Sequence, residues 1–313
     1  MNTTNQTLND TNGALNDTNH ALPNSNQPKQ IASRSPLQDA FRRFRKNKAA
    51  MFSCSILFLI VLFVIFAPIL SSYNYSDADW SNMGAKPSFA NKHFFGTDSL
   101  GRDLFVRTAM GGRISLIVGV VGAGVAIFIG TIYGAISGYI GGKVDMVMMR
   151  FIEVLNSFPI MFLLIILVTM FGRSISLIFI AIGMVSWTGI ARLVRGQTLS
   201  LRRREFIEAA HVIGVSDWNI VMRHITPNVI GVVVVYGSLL IPGMIMFESF
   251  LSFLGIGVQE PMTSWGALIE VGTKTMEIAP WQLLIPAAFL VVTLFCFSYI
   301  GDGLRDAFDP KDR

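Results

Sequence analysis

The sequence is poor in charged residues. Only 14% of its 313 residues are Asp, Glu, Lys or Arg, whereas 52% are hydrophobic and the mean hydropathy is +0.53. A soluble domain carries about 25% charged residues. This balance excludes an ordinary soluble globular protein and indicates a chain with several membrane-spanning segments.

Signatures of catalysis and of metal binding are also lacking. The two cysteines, Cys54 and Cys296, lie far apart within apolar runs, and the four histidines form no metal-binding pattern. The nearest approach to a nucleotide-binding P-loop, Ser137–Val144, lacks the first glycine and the Ser or Thr after Lys143. We therefore expect no enzymatic activity, no metal and no cofactor.

Six segments are long and apolar enough to span a bilayer as helices, which predicts an all-α integral membrane protein. They are Ala50–Ser71, Ser115–Tyr139, Met146–Phe171, Ile175–Val194, Val229–Leu254 and Leu283–Ile300. Of the 25 Lys and Arg residues, 18 fall in segments on one side and 7 on the other. Basic residues concentrate in cytoplasmic loops, so both termini are predicted to lie inside.

In this topology the basic run Phe41–Lys48 flanks the first helix, and we interpret it as a membrane flank rather than a nucleic-acid site. The topology also divides the chain into predicted regions. The regions are a disordered, Asn/Thr-rich cytoplasmic tail (1–34), a basic flank and first transmembrane helix (35–72), an extracytoplasmic loop (73–113), a core of five transmembrane helices (114–302) with a cytoplasmic loop at 200–228, and a cytoplasmic C-terminal tail (303–313).

A stripe of small residues follows one face of the second predicted helix, because its members recur every fourth residue. They are Gly122, Ala126, Gly130, Gly134, Gly138 and Gly142. Small residues let helix backbones approach closely in lipid, so we expect helix packing here; a wide pore lining is the alternative.

Glu248 is the most unusual charge within the predicted spans, near the outer end of the fifth. A carboxylate there is costly and faces protein or water. Two interpretations stay open, a structural partner near the surface and a lining of the substrate path.

The loop Arg204–Asn228 is unusually polar for this chain and has strong helix signals. Good helix formers, a glycine at Gly214, an N-cap residue at Ser216 and a stop at Pro227 predict two short helices joined by a bend. Such a knob suits docking to a soluble protein, and an amphipathic connector lying on the bilayer is the alternative.

The loop resembles the EAA loop of ABC-importer permeases, in which Glu-Ala-Ala is followed after three residues by Gly. Here the matching residues are Glu208, Ala209, Ala210 and Gly214, and Thr226 departs from the usual Leu. Three further segments resemble peptide-type permeases and fit best the C-type permease subunit of bacterial oligopeptide importers: His93–Gly119, Ser252–Ile269 and Gly301–Arg313.

The resemblance implies a type I ABC-importer permease (MetI-like) fold in the bacterial inner membrane. It implies as partners a second homologous permease, two ATP-binding subunits, an extracytoplasmic peptide-binding protein, membrane lipid and the peptide substrate, with no nucleic acid. The loop residues that would dock the ATPase are Glu205, Phe206, Glu208, Ala209, Ala210 and Gly214.

Two further questions stay open at this point. The outer segment Phe95–Asp103 predicts a tight, ion-paired turn, with contact to the binding protein or the partner permease as the alternative. Dipeptides, nickel chelates and antimicrobial peptides are alternative substrates, and a secondary transporter is an alternative mechanism.

Overall fold

A computed structural model describes residues 36–172 and 175–308, and the Asn/Thr-rich tail predicted to be disordered lies outside these ranges. Within them the regular structure is helical, apart from two isolated β-bridges in the loop after the first long helix. The helices are α1 (Pro36–Lys46), α2 (Lys48–Leu70), α3 (Leu104–Ile140), α4 (Gly142–Ser157), α5 (Ile160–Phe171), α6 (Ile175–Leu201), α7 (Glu205–Val212), α8 (Asp217–Asn219), a π-helix (Ile220–Ile225), α9 (Thr226–Phe253), α10 (Trp265–Lys274) and α11 (Trp281–Phe308).

Among the described residues, four helices are long and apolar enough to cross a membrane, and a fifth span results if α4 and α5 are counted together. The four are α2, α3, the continuous helix Asp217–Phe253 and α11. The predicted segment Ile175–Val194 corresponds to the first part of α6. The sequence thus located the apolar helices in order.

The third predicted span, Met146–Phe171, is not one straight helix. It is broken at Phe158 and Pro159, where α4 and α5 meet at 85°. Proline fixes its own φ and disfavours the helical region for the preceding residue, and Phe158 accordingly has the extended values φ −85° and ψ 136°. Apolar composition predicted the length of the segment and could not predict this bend.

Helix α3 begins at Leu104, so the last part of the predicted loop 73–113 is helical. The Asp103 carboxylate starts the helix by accepting a hydrogen bond from the amide of Val106 at 3.0 Å. At the other end of the chain, α11 runs to Phe308 and includes the start of the predicted tail 303–313. Both helices extend further than their apolar runs, because hydropathy detects only the apolar part of a helix.

Pro227 does not end the second helix of the polar loop, contrary to the prediction. It lies in the first turn of α9, and the chain stays helical from Asp217 through the π-helix Ile220–Ile225. Proline has no amide to donate to the preceding turn, and its ring crowds the carbonyl there. Wider π turns before it connect the loop to α9 without a break.

The small residues of α3 lie against α6, and the two helices run in parallel. A Cβ atom added at Gly130 would be 2.7 Å from the Ile190 Cβ, and one at Gly138 would be 2.8 Å from the Thr198 Cβ. Gly122 is buried, with its carbonyl facing Gly183 of α6. Gly142 departs from the predicted stripe, since it starts α4 after a turn at Gly141.

We expect Gly134→Ala to destabilise the protein. Its new methyl group would meet the Ala191 carbonyl oxygen, which is backbone and cannot rotate away. Overpacking of this kind costs about 1–3 kcal/mol. The change should lower the Tm of the purified chain in detergent, measured by thermal denaturation.

The matched control is Gly124→Ala, also in α3, where an added Cβ meets no atom within 4 Å. Alanine has the higher helix propensity, so this variant should keep or slightly raise the Tm. Equal Tm values for the two variants would contradict close α3–α6 packing at Gly134.

Candidate functional site

Helix α7 presents one exposed face, centred on Ala209. At 100° per residue, Glu205, Phe206 and Ile213 surround Ala209 on this face, and Glu208 borders it. Phe206 is 45% exposed and Ile213 is 78% exposed. A small residue at the centre of a rim of larger ones leaves a shallow depression into which a partner surface can fit.

The opposite face of α7 packs against the protein itself. Ile207 and Ala210 are buried in a cluster that includes Ile190 of α6 and Ile220 of the π-helix. The sequence analysis placed Ala210 among the docking residues, and the structure turns its side chain, with that of Ile207, inward. Their physical role here is to fix α7 on the ends of the long helices.

A bend at Gly214 connects α7 to α8. Gly214 has φ +81°, which favours glycine, and its amide donates to the His211 carbonyl at 3.0 Å. The next amide, of Val215, donates to the Ala210 carbonyl at 3.1 Å. These bonds satisfy the last carbonyls of α7, so the helix ends as the glycine predicted.

Three apolar side chains near this bend were missed by the sequence analysis. Val212 is 84% exposed, Ile213 is 78% exposed and Trp218 is 57% exposed. Exposed apolar residues clustered in a polar loop mark an interaction surface. The spacing of Phe206, Ala209 and Ile213 at three and four residues was the signal that could have identified this face.

A cavity of about 440 Å³ lies between α7 and the C-terminal end of α3. On its wall the Tyr139 hydroxyl donates to the Asp217 carboxylate at 2.8 Å, which joins α3 to α8. The cavity mixes charged and apolar groups: Tyr139, Ile140, Arg202, Ile207, Glu208, His211, Val212 and Asp217. It therefore forms, beside the exposed face of α7, a recess lined by both positively and negatively charged side chains.

Glu248 lies in α9 with no exposed surface. Its carboxylate accepts hydrogen bonds from the hydroxyl groups of Ser252 at 2.6 Å, Ser115 at 3.0 Å and Ser249 at 3.4 Å. The Ser115 hydroxyl in turn accepts from the amide of Trp265 at 3.3 Å. In this conformation Glu248 is fully buried and joins α3, α9 and the start of α10.

The outer turn forms the ion pairs that the sequence predicted. The Asp98 carboxylate accepts from Arg102 Nε at 2.7 Å, and it lies 3.4 Å from the Nε of the buried Arg107. Glu260, which is distant in sequence, adds its Oε1 at 2.9 Å from Arg102 Nη1 and 3.7 Å from Arg107 Nη2. Buried guanidinium groups need such partners, so this cluster ties the turn to the loop after α9.

Two acids beside this turn have shifted pKa values with different causes. Hydrogen bonds from Ser81 and Asn82 lower the pKa of Asp79 to about 2. Burial raises the pKa of Asp103, against the opposing effect of its 2.9 Å contact with His93 Nδ1. These groups hold the loop in shape and form no catalytic constellation.

Two family descriptions match the chain. Residues 127–313 match the binding-protein-dependent transport system inner membrane component family. Residues 35–87 match the N-terminal transmembrane domain of oligopeptide transport permease C. Together the two matches cover most of the described helices, including α6, the loop of α7 and α9.

Curated relatives are similar over nearly their whole length. The oligopeptide transport system permease protein OppC of Haemophilus influenzae is 61% identical over 284 residues, 91% of each chain. That of Escherichia coli K12 is 63% identical over 91% of this chain and 94% of its own. The dipeptide transport system permease protein DppC of Bacillus subtilis is 41% identical over 90% of this chain and 88% of its own.

We expect Glu248→Ala to lower the Tm strongly, because it leaves buried serine hydroxyl groups without their acceptor and opens a cavity. Together these effects cost about 2–5 kcal/mol. Glu248→Gln, which keeps one acceptor oxygen, should lose less. A structural role predicts that peptide uptake and Tm fall in parallel across the two variants.

The contrary result is a Glu248→Gln variant with unchanged Tm whose KM for peptide uptake rises several-fold. That result would assign Glu248 to the substrate path. Uptake of a labelled peptide by vesicles that contain the complete transporter provides the measurement.

Proposed function

The chain belongs to the family of inner-membrane components of binding-protein-dependent transport systems, and we propose from this premise how it takes up oligopeptides. It is a permease subunit of an oligopeptide ABC importer, a multi-pass protein of the bacterial inner membrane. The observation that carries the mechanism is the exposed face of α7, which is held rigidly at its back and apolar at its front.

In the proposed topology six helical segments cross the membrane and both termini lie in the cytoplasm. The distribution of Lys and Arg supports it. The parallel packing of α3 and α6 agrees with it, since one bent span, α4 with α5, separates them and returns the chain to the same side. Residues 1–34 are then a cytoplasmic tail and 200–228 a cytoplasmic loop.

The α7 face, defined here as Glu205, Phe206, Glu208, Ala209, Val212 and Ile213, docks onto an ATP-binding subunit. Its apolar residues would fill a groove, and the two glutamates would pair with cations at the rim. Gly214 shapes the bend and Ala210 holds the helix from behind, so both act on docking indirectly.

The complete importer, in this proposal, holds a second homologous permease, two ATP-binding subunits and an extracytoplasmic peptide-binding protein. Closure of the ATPases on ATP moves the two α7 loops together, and the helices follow because α7 packs on α3, α6 and the π-helix. The path then opens outward to receive peptide. ATP drives this change only by favouring one state over the other.

Oligopeptides are favoured as substrates over the alternatives. The relatives named for oligopeptide transport are 61% and 63% identical to this chain, whereas the dipeptide relative is 41% identical. A secondary transporter would need ionisable groups buried near the membrane centre. Glu248 is buried near the outer end of its predicted span rather than at the centre, and its three serine donors assign it a structural role in our proposal.

We expect Glu208→Lys to abolish peptide uptake while expression and membrane insertion stay normal. Reversal of an exposed charge should not affect folding, but it places a cation where the docking face presents an acid. Uptake of a labelled peptide, together with the amount of ATPase that co-purifies, checks this prediction.

Asp302→Lys serves as the control, since it makes the same charge change at an exposed position on the proposed cytoplasmic side. It should keep uptake and the bound ATPase. Uptake by Glu208→Lys at the unmodified rate would show that α7 does not couple the ATPase to transport.

A further inference from the structure

Helix α4 carries an exposed ion pair at a depth where the chain should be surrounded by hydrocarbon. Arg150 Nη1 lies 2.9 Å from Glu153 Oε2, and the two side chains are 78% and 58% exposed. The proposed function does not use this pair. An exposed ion pair inside a bilayer is rare, because charged groups there face protein or water.

The depth of the pair follows from contacts before and after it. Asp145 pairs with Arg195 of α6, with its carboxylate oxygens 2.5 and 2.6 Å from the guanidinium nitrogens. Further along α4, Asn156 accepts from Thr188, seven positions earlier in α6 and about 10 Å along its axis. Helix α4 therefore rises along α6 instead of lying on the membrane surface.

A contact with α3 gives the same direction. The Asp145 carboxylate accepts from Ser137, and the Met148 carbonyl accepts from the Tyr133 hydroxyl at 2.8 Å, one turn earlier in α3. Both helices place the segment between Asp145 and Asn156 alongside the inner part of the spans. The ion pair lies within this segment.

Helix α4 has three different faces. The inner face packs on the protein through Ile152, which has no exposed surface. A mostly polar stripe contains Lys143, Arg150, Glu153 and Ser157 at three-, four- and seven-residue spacing, and Met146, which is 62% exposed, lies on the same side of the helix. Beside it an apolar stripe contains Val144, Val147, Phe151 and Val154, which are 42–68% exposed.

We propose that the polar stripe of α4 lines the inner half of the peptide path. This inference rests on the proposed function and deepens it. The apolar stripe meets lipid or the apolar surface of another subunit, and the polar stripe meets the water through which the peptide passes. A helix with one polar and one apolar exposed stripe suits the boundary between these two environments.

The chemistry of the stripe fits a hydrated peptide with two charged ends. Arg150 supplies donors and Glu153 supplies acceptors, one helical turn apart, and this pair carries no net charge, whereas Lys143, two turns earlier, adds one positive charge at the start of the stripe. A path lined by such a pair attracts neither cations nor anions selectively. It can therefore pass the ammonium and the carboxylate ends of the same peptide.

Cysteine accessibility tests the location. In a chain with Cys54 and Cys296 replaced by serine, Ser157→Cys places one thiol in the polar stripe, and Val154→Cys places a matched thiol in the apolar stripe. The assembled importer in nanodiscs is treated with a charged maleimide, which reacts with thiolates in water. We expect Ser157→Cys to react at least tenfold faster, and to slow several-fold when a non-hydrolysable ATP analogue closes the inner side.

Equal rates for the two thiols, or an unreactive Ser157→Cys, would overturn the proposal. So would fast labelling that the ATP analogue leaves unchanged, since α4 would then lie on the cytoplasmic surface. ATP hydrolysis stimulated by peptide-loaded binding protein is measured on the same samples. If stimulated ATP hydrolysis persists while the labelling prediction fails, only the path assignment is lost. If the cysteine-free parent shows no stimulated ATP hydrolysis, the proposed function fails.

Charge-neutral variants test the chemistry. Arg150→Gln leaves Glu153 unpaired and should raise the uptake of a cationic tripeptide relative to an anionic one by at least threefold. Glu153→Gln should shift the same ratio in the opposite direction. A merely structural pair would lower both uptakes equally and leave the ratio unchanged, which would contradict the proposal.

Discussion

The close parallel contact between α3 and α6 is the interaction on which the rest of the structure depends. Lipid tails are as apolar as leucine side chains, so burial alone does not drive helices together inside a membrane. Glycines such as Gly130 and Gly134 instead let the two backbones approach until their atoms are in contact. Helix α4 binds across both of them through Asp145 and Tyr133, and α7 packs on their inner ends. The contact between α3 and α6 therefore positions both the proposed docking face on α7 and the proposed path lining on α4.

Hydropathy predicted the apolar helices well and their ends poorly, for a physical reason. An apolar run marks where the chain meets hydrocarbon, whereas a helix continues as long as its backbone bonds are satisfied. Asp103 caps α3 before the apolar run starts, and Pro227 is accommodated in the first turn of α9. At Pro159 the same residue type stands at an 85° bend, where Phe158 before it has extended backbone angles, whereas the residues before Pro227 stay helical. Local sequence does not distinguish these two prolines.

The candidate site was located from sequence and oriented only by the structure. The Glu-Ala-Ala pattern identified the loop, but the choice of which alanine faces outward depends on distant residues. Ala210 packs with Ile190 and Ile220, and Ala209 is left at the centre of the exposed face. Similarly, the turn at Asp98 was predicted, whereas its fourth charged partner, Glu260, comes from the far side of α9. Contacts between residues so remote in sequence leave no short-range pattern.

Helix α3 is fastened at both ends to the parts that must respond to one another. Its C-terminal end bonds to α8 through Tyr139 and Asp217, and its N-terminal part bonds to α9 and α10 through Ser115. With 37 residues it is about 55 Å long, longer than the hydrocarbon core it crosses. In the proposed mechanism such a rod pivots about its contact with α6. A displacement of a few ångströms at its α7 end would then tilt it by a few degrees and move its other end the opposite way.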